Sequence, residues 1–552
     1  MGGGNNNVDV SYLSVNIQNV GEVMSRAEYD QGGGTYEDGT EAESKISDVR
    51  FYFFNADGTP YILSGSNKNW LTPTDDLNTN NNDHPNTVEQ ISNTVLVIKN
   101  DERTAPHSVV AVINSNTLTN DALSLTDLRK VQDNQFYTTT TTTTENFVMA
   151  NSIYMKDGKE EYAVPVTGHV STTADGAKAN PIDIYVERVA AKVNTTCDAN
   201  EGWKIGTDDW NNGKWTYQLA DKLFSKYDVF VVVDGWSVAD ANGRAYLEKA
   251  ALVDNNNKAK WTKDDLGIDP WTTGDYHRCF WETSVPFVNG TNEVLNKSFN
   301  NISSSIADGV VYTLPNTPTA TADFENEKKM ENSLTKVIVA AHLYYKDDAG
   351  VAHKAEICKY KGIQYLSKED VLTVVANENK SKYFKKTTTT NSEGQEVDVY
   401  TSISKDDLTF ATSAPEGSEA NLKDYEVIPQ IKSDAVIYDA DHNLVRDLTN
   451  ANKELAIEAN KAQVRAEGRV YYYTPIRHLA SEETKLGYYG VVRNHSYKVN
   501  LQKVSGFGTP VYDPTKVIDP TLPEEENIYL AARINVLSWR VVKSNVDLDS
   551  NK

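Results

Sequence analysis

The amino-acid sequence predicts an all-β protein made of two β-sandwich domains with a few accessory helices. Short runs rich in Val, Ile, Tyr and Phe alternate along the chain with clusters of Asn, Asp, Gly and Thr, which is the pattern of strands joined by turns. The 552 residues also exceed the roughly 250 to 300 at which a single core stops growing. More than one domain is therefore expected.

Strands are predicted wherever these apolar runs are continuous or alternating. After the apolar run Val49 to Phe54, the turn NADGT at Asn55 to Thr59 places Gly58 where a hairpin needs positive φ. The clearest strand segments are Val49 to Phe54, Thr94 to Ile98, Ser108 to Ile113, Val229 to Val233, Val337 to Tyr345 and Val470 to Tyr473.

Helical periodicity is confined to two places. Leu125, Leu128 and Val131 recur at a helical spacing after the possible cap Ser124, and the segment Leu448 to Ala466 is rich in helix formers. Both are expected to be accessory helices on sandwich loops. The threonine run from Thr138 to Thr144 predicts an edge strand or a loop.

Composition excludes several classes of partner and site. The formal net charge of −24 repels phosphate backbones, so no nucleic acid is expected as a partner. Cys197, Cys279 and Cys358 are too far apart for a C-x-x-C site and are predicted to be isolated, buried thiols. The chain contains no run of 18 apolar residues that would span a membrane.

Local motifs for catalysis or cofactor binding are absent. The sequence has no H-E-x-x-H pair, no G-x-S-x-G elbow, no Walker loop and no G-x-G-x-x-G. The stretch DADHN, from Asp439 to Asn443, resembles the start of a calcium loop, but Leu444 stands where that loop needs Gly. It is predicted to be a polar hairpin turn. We expect a protein that is not an enzyme and that has no cofactor, no metal and no catalytic residues.

The N-terminal region combines a strand with a cuttable connection. Ser11 to Asn19 alternates with Leu13, Val15 and Ile17 on one face, which predicts a half-buried strand. The acidic, Gly-rich segment Glu28 to Ser44 is predicted to be flexible and open to proteases. Arg26 lies between these two parts.

The C-terminal region contains a second strand-like segment, from Asn527 to Leu548. It follows the Pro-rich, acidic spacer DPTKVIDPTLPEEE, which is expected to hold it away from the domain. One strand can thus be lost at the front of the chain and one supplied at the back. Two ordinary terminal strands of a sandwich are the alternative interpretation.

Several stretches resemble the fimbrillin family of Bacteroidales type V pilins, and within it the stalk subunit of the short (minor) fimbriae of Porphyromonas. The stretch with the greatest likeness is GYYGVVRNHSYKVNLQKVSGFGTP, at Gly487 to Pro510. The others are YVERVAAKV at Tyr185 to Val193, DGWSV at Asp234 to Val238, RCFWETS at Arg278 to Ser284, TLPNT at Thr313 to Thr317 and INVLSWRVV at Ile534 to Val542. The first 180 residues match weakly.

The resemblance implies transthyretin-like sandwiches and assembly by strand exchange. An arginine-specific protease would cut between Arg26 and Ala27, which frees the strand of Leu13, Val15 and Ile17. The C-terminal segment of another subunit would then fill the gap, with donor residues Ile534, Val536, Trp539, Val541 and Val546. The expected divisions are a propeptide at 1–26, an N-terminal sandwich at 27–185, a C-terminal sandwich at 186–520 and a donor segment at 521–552.

The resemblance also implies a location and partners. The location would be the cell-surface fimbria at the outer membrane, reached through a lipoprotein precursor whose leader was removed before Met1. The partners would be copies of the chain, accessory tip and anchor subunits, the maturing protease, and host or bacterial receptors in adhesion and biofilm formation. Three alternatives stay open at this point: a glycan-binding outer-membrane lipoprotein, a secreted hydrolase, and a tip or anchor subunit of a similar fimbria.

Overall fold

The structure is a computed structural model, and it describes the chain in blocks. They are residues 11–19, 39–73, 78–80, 90–99, 104–115, 117–134, 136–140, 143–156, 159–250, 261–270, 279–286, 294–304, 309–318, 333–482, 484–520, 529–537 and 543–544. Within these blocks strands dominate and helices are short, so the predicted all-β class is confirmed.

Strands of the N-terminal part are β1 Ser11–Asn19, β2 Val49–Phe54, β3 Trp70–Leu71, β4 Asn78–Asn80, β5 Gln90–Ile98, β6 Ser108–Ile113, β7 Gln132–Asp133, β8 Tyr137–Thr140, β9 Thr143–Phe147, β10 Met149–Asn151, β11 Tyr154–Lys156, β12 Lys159–Glu161, β13 Val164–Pro165 and β14 Ile182–Arg188. One nine-stranded sheet runs in the order β3-β2-β6-β10-β14-β1-β5-β4, with β13 also paired to β6. Its buried face packs on the first hydrophobic core, which includes Leu13, Phe51, Val109 and Ile184.

Strands of the C-terminal part are β15 Ala191–Cys197, β16 Lys204–Ile205, β17 Trp215–Leu223, β18 Tyr227–Ala239, β19 Ala241–Asn242, β20 Ala245–Tyr246, β21 Val294–Leu295, β22 Val310–Thr313, β23 Lys336–Lys346, β24 Ala352–Lys354, β25 Cys358–Tyr360, β26 Ile363–Tyr365, β27 Phe384–Thr390, β28 Glu396–Ser402, β29 Leu408–Ala411, β30 Ile428–Ile431, β31 Ala462–Val464, β32 Arg469–Pro475, β33 Ser496–Ser505, β34 Thr509–Pro510, β35 Tyr529–Leu537 and β36 Lys543–Ser544. Two of its sheets, β22-β15-β33-β35-β36 and β16-β17-β18-β23-β32-β34, contribute inward side chains to one core. They form a sandwich.

The α-helices are α1 Glu41–Ser44, α2 Leu125–Leu128, α3 Ala174–Lys178, α4 Lys263–Leu266, α5 Phe299–Ser303, α6 Lys368–Glu378 and α7 Leu448–Leu455. Short 3-10 turns lie at Ala199–Glu201, Lys405–Asp407, Glu458–Asn460, Ala466–Gly468 and Leu486–Tyr488. Between β23 and β32 the chain builds a separate small core from α6, α7 and the strands around them. This insertion packs as a unit beside the sandwich.

Most strand predictions agree with the structure. The segments Val49–Phe54 and Ser108–Ile113 coincide with β2 and β6, and the other four lie inside β5, β18, β23 and β32. Gly58 has φ of +79° in the predicted turn. The threonine run contributes to the paired strands β8 and β9.

Two local predictions were wrong in extent. The helix expected over Leu448 to Ala466 ends at Leu455, because the chain turns there and Ala462–Val464 pairs with β25 as a strand. The segment Glu28 to Ser44 was predicted to be flexible, but its end forms α1, with a capping box in which Thr40 and Glu43 satisfy each other's backbone N–H groups. The 11-residue α6 was not predicted.

The predicted turn and thiols agree with the structure. In DADHN, Asp439 Oδ1 accepts hydrogen bonds from the backbone N–H groups of Asp441 and Asn443, and this fixes a polar turn. The three cysteines are free and buried. In the described blocks, His, Cys, Asp and Glu side chains form no group of three that could hold a metal. Searched over the same blocks, no helix has the length and apolar character needed to cross a membrane.

Candidate functional site

The N-terminal strand β1 occupies an interior position in the nine-stranded sheet. It pairs along its whole length with β5 in antiparallel register, from Ser11 opposite Ile98 to Asn19 opposite Gln90. On its other side it pairs in parallel with β14, from Val15 beside Ile182 to Asn19 beside Val186. Strand β1 therefore holds β5 and β14 together, although it is the first described element of the chain.

The alternation found in the sequence places one face of β1 in the core. Leu13 and Val15 are fully buried, with Leu96 of β5 opposite Leu13 and Ile182 of β14 beside Val15. Each such side chain contributes about 1.5 to 3 kcal/mol on burial, and each backbone hydrogen bond adds about 0.5 to 1.5 kcal/mol. Removing β1 would leave an apolar slot with an unpaired strand edge on each side.

The other face of β1 is also covered. Ser14 is buried, and the short helix α3 packs across β1 and β5. The slot is thus closed on three sides by β5, β14 and α3. An extended segment is the shape of ligand that such a slot accepts, because it satisfies both strand edges at once.

The two walls of the slot are held very differently. In the described part of the chain, β5 has no ladder partners besides β1 and β4. Strand β14 is also paired to β10. It is anchored at its carboxyl end, where Glu187 Oε2 forms an ion pair with Lys249 Nζ at 3.0 Å. Arg188, the next residue, donates from its guanidinium to Asn494 Oδ1 at 3.1 Å. Loss of β1 would leave the β14 wall fixed and the β5 wall without its main partner.

A strand pair joins the two parts of the chain, and buried polar contacts hold its C-terminal member in place. Strand β20 pairs with β7, and Leu247 beyond it packs into the N-terminal core. Arg493 is fully buried and donates to Glu282 Oε2 at 2.8 Å, to the Leu247 carbonyl at 2.9 Å and to the Tyr246 carbonyl at 2.7 Å. Because these groups are buried, breaking their hydrogen bonds would leave them without water as a replacement partner. The junction between the two parts at β7 and β20 is therefore expected to resist bending.

Glu43 anchors the chain where it re-enters the fold after the connection that follows β1. Its carboxylate lies 2.9 Å from Lys192 Nζ and accepts a hydrogen bond from the Tyr312 hydroxyl at 2.6 Å. Burial opposes its charge, but Arg188, Lys192 and the hydrogen bonds from Lys192 and Tyr312 outweigh burial and hold the pKa of Glu43 below its usual value. The start of the body therefore stays fixed whatever happens to the preceding residues.

We expect Glu43→Gln to lower the free energy of unfolding by about 3 kcal/mol at neutral pH, because the variant removes a buried negative charge that faces Lys192 and Arg188. Because folding lowers the pKa of Glu43, its contribution to stability is fully present above the ordinary glutamate pKa of about 4.3. The contribution is lost as the pH falls through the lower pKa that Glu43 has in the folded state. Urea unfolding at neutral and acid pH measures it. Glu41→Gln, an exposed position in the same helix, is the control. Equal midpoints for the two variants at neutral pH would contradict this role.

The C-terminal segment lies on its own domain. Strand β35 pairs with β33 over its whole length, with Ile534 opposite Val499 and Val536 opposite Tyr497, and β36 follows it at the sheet edge. This differs from the expectation that the spacer holds the segment away from the domain. The structure does not bring β1 and β35 together, since they belong to different sheets.

Some of the predicted site residues lie outside the described blocks, namely Arg26, Ala27, Trp539, Val541 and Val546. For Ile17 the structure gives the strand pairing: it lies opposite Ser92 of β5 and beside Ile184 of β14. Sequence reasoning missed the two walls of the slot and the Glu43 anchor. The strand pattern around Thr94 and Ile182 was visible, but nothing local showed that both strands flank β1.

Residues 465–545 match a family described as major fimbrial subunit protein type IV, fimbrillin, C-terminal. The matched stretch contains β32 to β36 and thus includes the strand pair β33–β35. No curated protein matches the chain. The family match supports a fimbrillin-type structural subunit of cell-surface fimbriae.

Proposed function

We propose that the chain is a stalk subunit of a bacterial surface fimbria, which polymerises by exchanging β1 for a strand from a neighbouring subunit. The observation that carries the proposal is the interior position of β1 between β5 and β14. A strand that leaves the edge of a sheet exposes the edge of one neighbouring strand. An interior strand leaves a slot that only another strand can fill.

A cut after Arg26 makes the exchange possible. Before it, β1 is tethered to the body, so it rebinds its slot at a high effective concentration. After it, residues 1–26 can dissociate, whereas Glu43 keeps the new N-terminal region on the body. Between Met1 and Arg50 the chain has no other arginines, and Arg50 lies half-buried in β2 with its guanidinium over the Trp70 ring. Arg26 is therefore the cut site that we propose for an arginine-specific protease in this region.

The donor in this proposal is the segment that contains β35. It must leave β33 of its own subunit, where it pairs near the edge of the sheet, before it enters the slot of the next subunit. The segment can form backbone hydrogen bonds both with β33 of its own subunit and with the slot of the next subunit. The direction of the exchange therefore depends on which of these two positions buries more of its apolar surface. Trp539, Val541 and Val546, beyond β35, are expected to add to that surface in the acceptor.

The setting follows from the same proposal. The subunit is exported as a lipoprotein precursor, matures at the outer membrane, and joins accessory tip and anchor subunits in a fibre that mediates adhesion and biofilm formation. A stalk role is favoured over a tip role because a C-terminal strand that can be donated has no use in a terminal subunit.

Val15→Asp tests the proposal through the rate of assembly. The charge would lie in the core, so β1 should be held less tightly by a few kcal/mol, and about 1.4 kcal/mol corresponds to a tenfold change in dissociation. After digestion with an arginine-specific protease, light scattering should rise more than about tenfold faster than for the wild type. N-terminal sequencing should give Ala27 as the new first residue.

Val97→Asp is the matched control, because Val97 on the adjacent β5 is 44% exposed. It should assemble at the wild-type rate. Equal rates for cut wild type and cut Val15→Asp would show that departure of β1 does not limit assembly. Fibres from the uncut wild type would show that β1 does not block the slot.

A further inference from the structure

A buried lysine and a buried aspartate meet at one end of the sandwich, outside the slot. Asp240 directly follows β18, Lys336 begins β23, and the two strands are antiparallel neighbours with Ala239 opposite Lys336. Lys336 Nζ lies 2.5 Å from Asp240 Oδ2, and each side chain is only 1% exposed. The two groups are therefore held in contact without competing water.

The aspartate is fixed in an uncommon conformation. Asp240 has φ of +51°, which is costly for a residue other than glycine and is found where the surroundings impose it. Asn296 supplies part of that constraint, since it accepts from the Asp240 N–H at 2.7 Å and donates to Asp240 Oδ1 at 3.1 Å. Thr335 Oγ1 donates to the Asp240 carbonyl at 3.0 Å. These contacts fix the backbone of Asp240 and one carboxyl oxygen, and the other oxygen faces the amine.

A third acid, Asp519, lies in the same region, since Ile518 before it and Ala239 before Asp240 belong to one buried hydrophobic cluster. Burial and then the negative charge of Asp240 raise the pKa of Asp519, while Lys336 acts in the opposite direction. A carboxyl with a raised pKa holds a proton more readily and can pass it on. Asp519 also lines a cavity of about 50 Å³ together with Tyr471.

We propose that Lys336 and Asp240 are a modification site, at which the two side chains condense into an intramolecular isopeptide bond. This does not depend on the fimbrial function proposed above. Burial to 1% exposure imposes a desolvation cost on both charges. Amide formation removes both charges permanently.

The reaction balances without an oxidant, a metal or a cofactor. The ammonium of Lys336 gives one proton to Asp240 Oδ2 along their hydrogen bond, which leaves a neutral amine and a neutral acid. The amine nitrogen attacks Cγ and a C–N bond forms. Asp519 supplies a proton to the departing hydroxyl, the C–O bond breaks, water leaves, and the nitrogen returns a proton to Asp519. Contact between the reacting groups replaces a bimolecular encounter, which accounts for reaction without an external enzyme.

The other buried pairs lack one of these features. Arg493 pairs with Glu282, but a guanidinium does not lose its proton to become a nucleophile. Lys249 and Glu187 are as deeply buried, but their contact is longer, at 3.0 Å, and Glu187 lies inside the regular strand β14. Burial raises the pKa of Glu248, the residue before Lys249, to about 8, while Arg493 and Arg129 act in the opposite direction, and neither Lys249 nor Glu187 contributes to this shift. Lys249–Glu187 is therefore a matched internal control.

The test is the mass of the full chain after denaturation. The wild type should be lighter than its sequence by one water molecule, and peptide mapping should find one branched peptide that joins Lys336 to Asp240, with Lys249 and Glu187 unlinked. Lys336→Arg should have its full sequence mass. Asp240→Asn should lose ammonia in place of water and give a product of the same mass as the linked wild type.

Asp519→Asn should fold and show a smaller linked fraction after the same time. A wild-type mass equal to that of the sequence would overturn the proposal, and this outcome does not depend on any variant folding. A linked fraction in Asp519→Asn as large as in the wild type would overturn the role of Asp519.

Discussion

A chain ended before Tyr529 should act as a terminator of fibre growth once it has been cut after Arg26. It keeps β5, β14 and the slot between them, so it can accept a strand from a growing fibre. It has lost β35 and everything beyond it, so it has no strand to donate. Small amounts mixed with cut wild type should shorten the fibres sharply, and alone it should stay monomeric.

Negative-stain measurement of fibre length against the fraction of truncated chain decides this prediction. The control is the same truncated chain left uncut, which can neither accept nor donate and should leave fibre length unchanged. Fibres formed by the truncated chain alone would contradict donation by this segment. A truncated chain that does not fold by circular dichroism would show that β35 is a required strand of its own sandwich.

The strands were predictable because their signal is local. Val49–Phe54 and Ser108–Ile113 are continuous apolar runs between turn residues, and they coincide with β2 and β6. The four-residue helix after Ser124 was equally readable, since that serine accepts a hydrogen bond from the Asp127 N–H as its cap. Helix α6 carried a comparable signal in Ser367 followed by buried Val371 and Val375, and it was overlooked.

The helix predicted over Leu448 to Ala466 shows where propensity fails. Its second half has good helix formers, but Asn460 is buried and donates to the Leu455 carbonyl, which ends the helix. Val464, further along, lies in the core of the insertion as part of β31. Tertiary pairing outweighed the local preference, which amounts to less than about 1 kcal/mol per residue.

The candidate site was predictable only in part for the same reason. The alternation of Leu13 and Val15 identified a strand with one buried face. Its interior position depends on pairing with Gln90–Ile98 and Ile182–Arg188, which lie far along the chain and which no local pattern relates to it. The same holds for Glu43, whose partners Lys192 and Tyr312 are distant in sequence.

A reversible tether between β1 and β5 should control assembly completely, because it acts on the departure of β1 alone. Ser14 lies opposite Val95 in the antiparallel register, on the face away from Leu13 and the core. Ser14→Cys with Val95→Cys can therefore form a cross-strand disulfide, since directly opposite residues have Cα atoms about 4.5 to 5.5 Å apart, within the range that a disulfide spans. The native cysteines are buried and separate from it.

The most direct measurement follows light scattering of this double-cysteine chain after it has been cut at Arg26, first oxidised and then with reductant added. Ser14→Cys alone, treated in the same way, is the control and should assemble in both conditions. We expect the oxidised double variant to stay monomeric and to begin forming fibres when the reductant is added. Fibres that form at the same rate with the disulfide intact would contradict the claim that β1 must leave its slot for the subunit to polymerise.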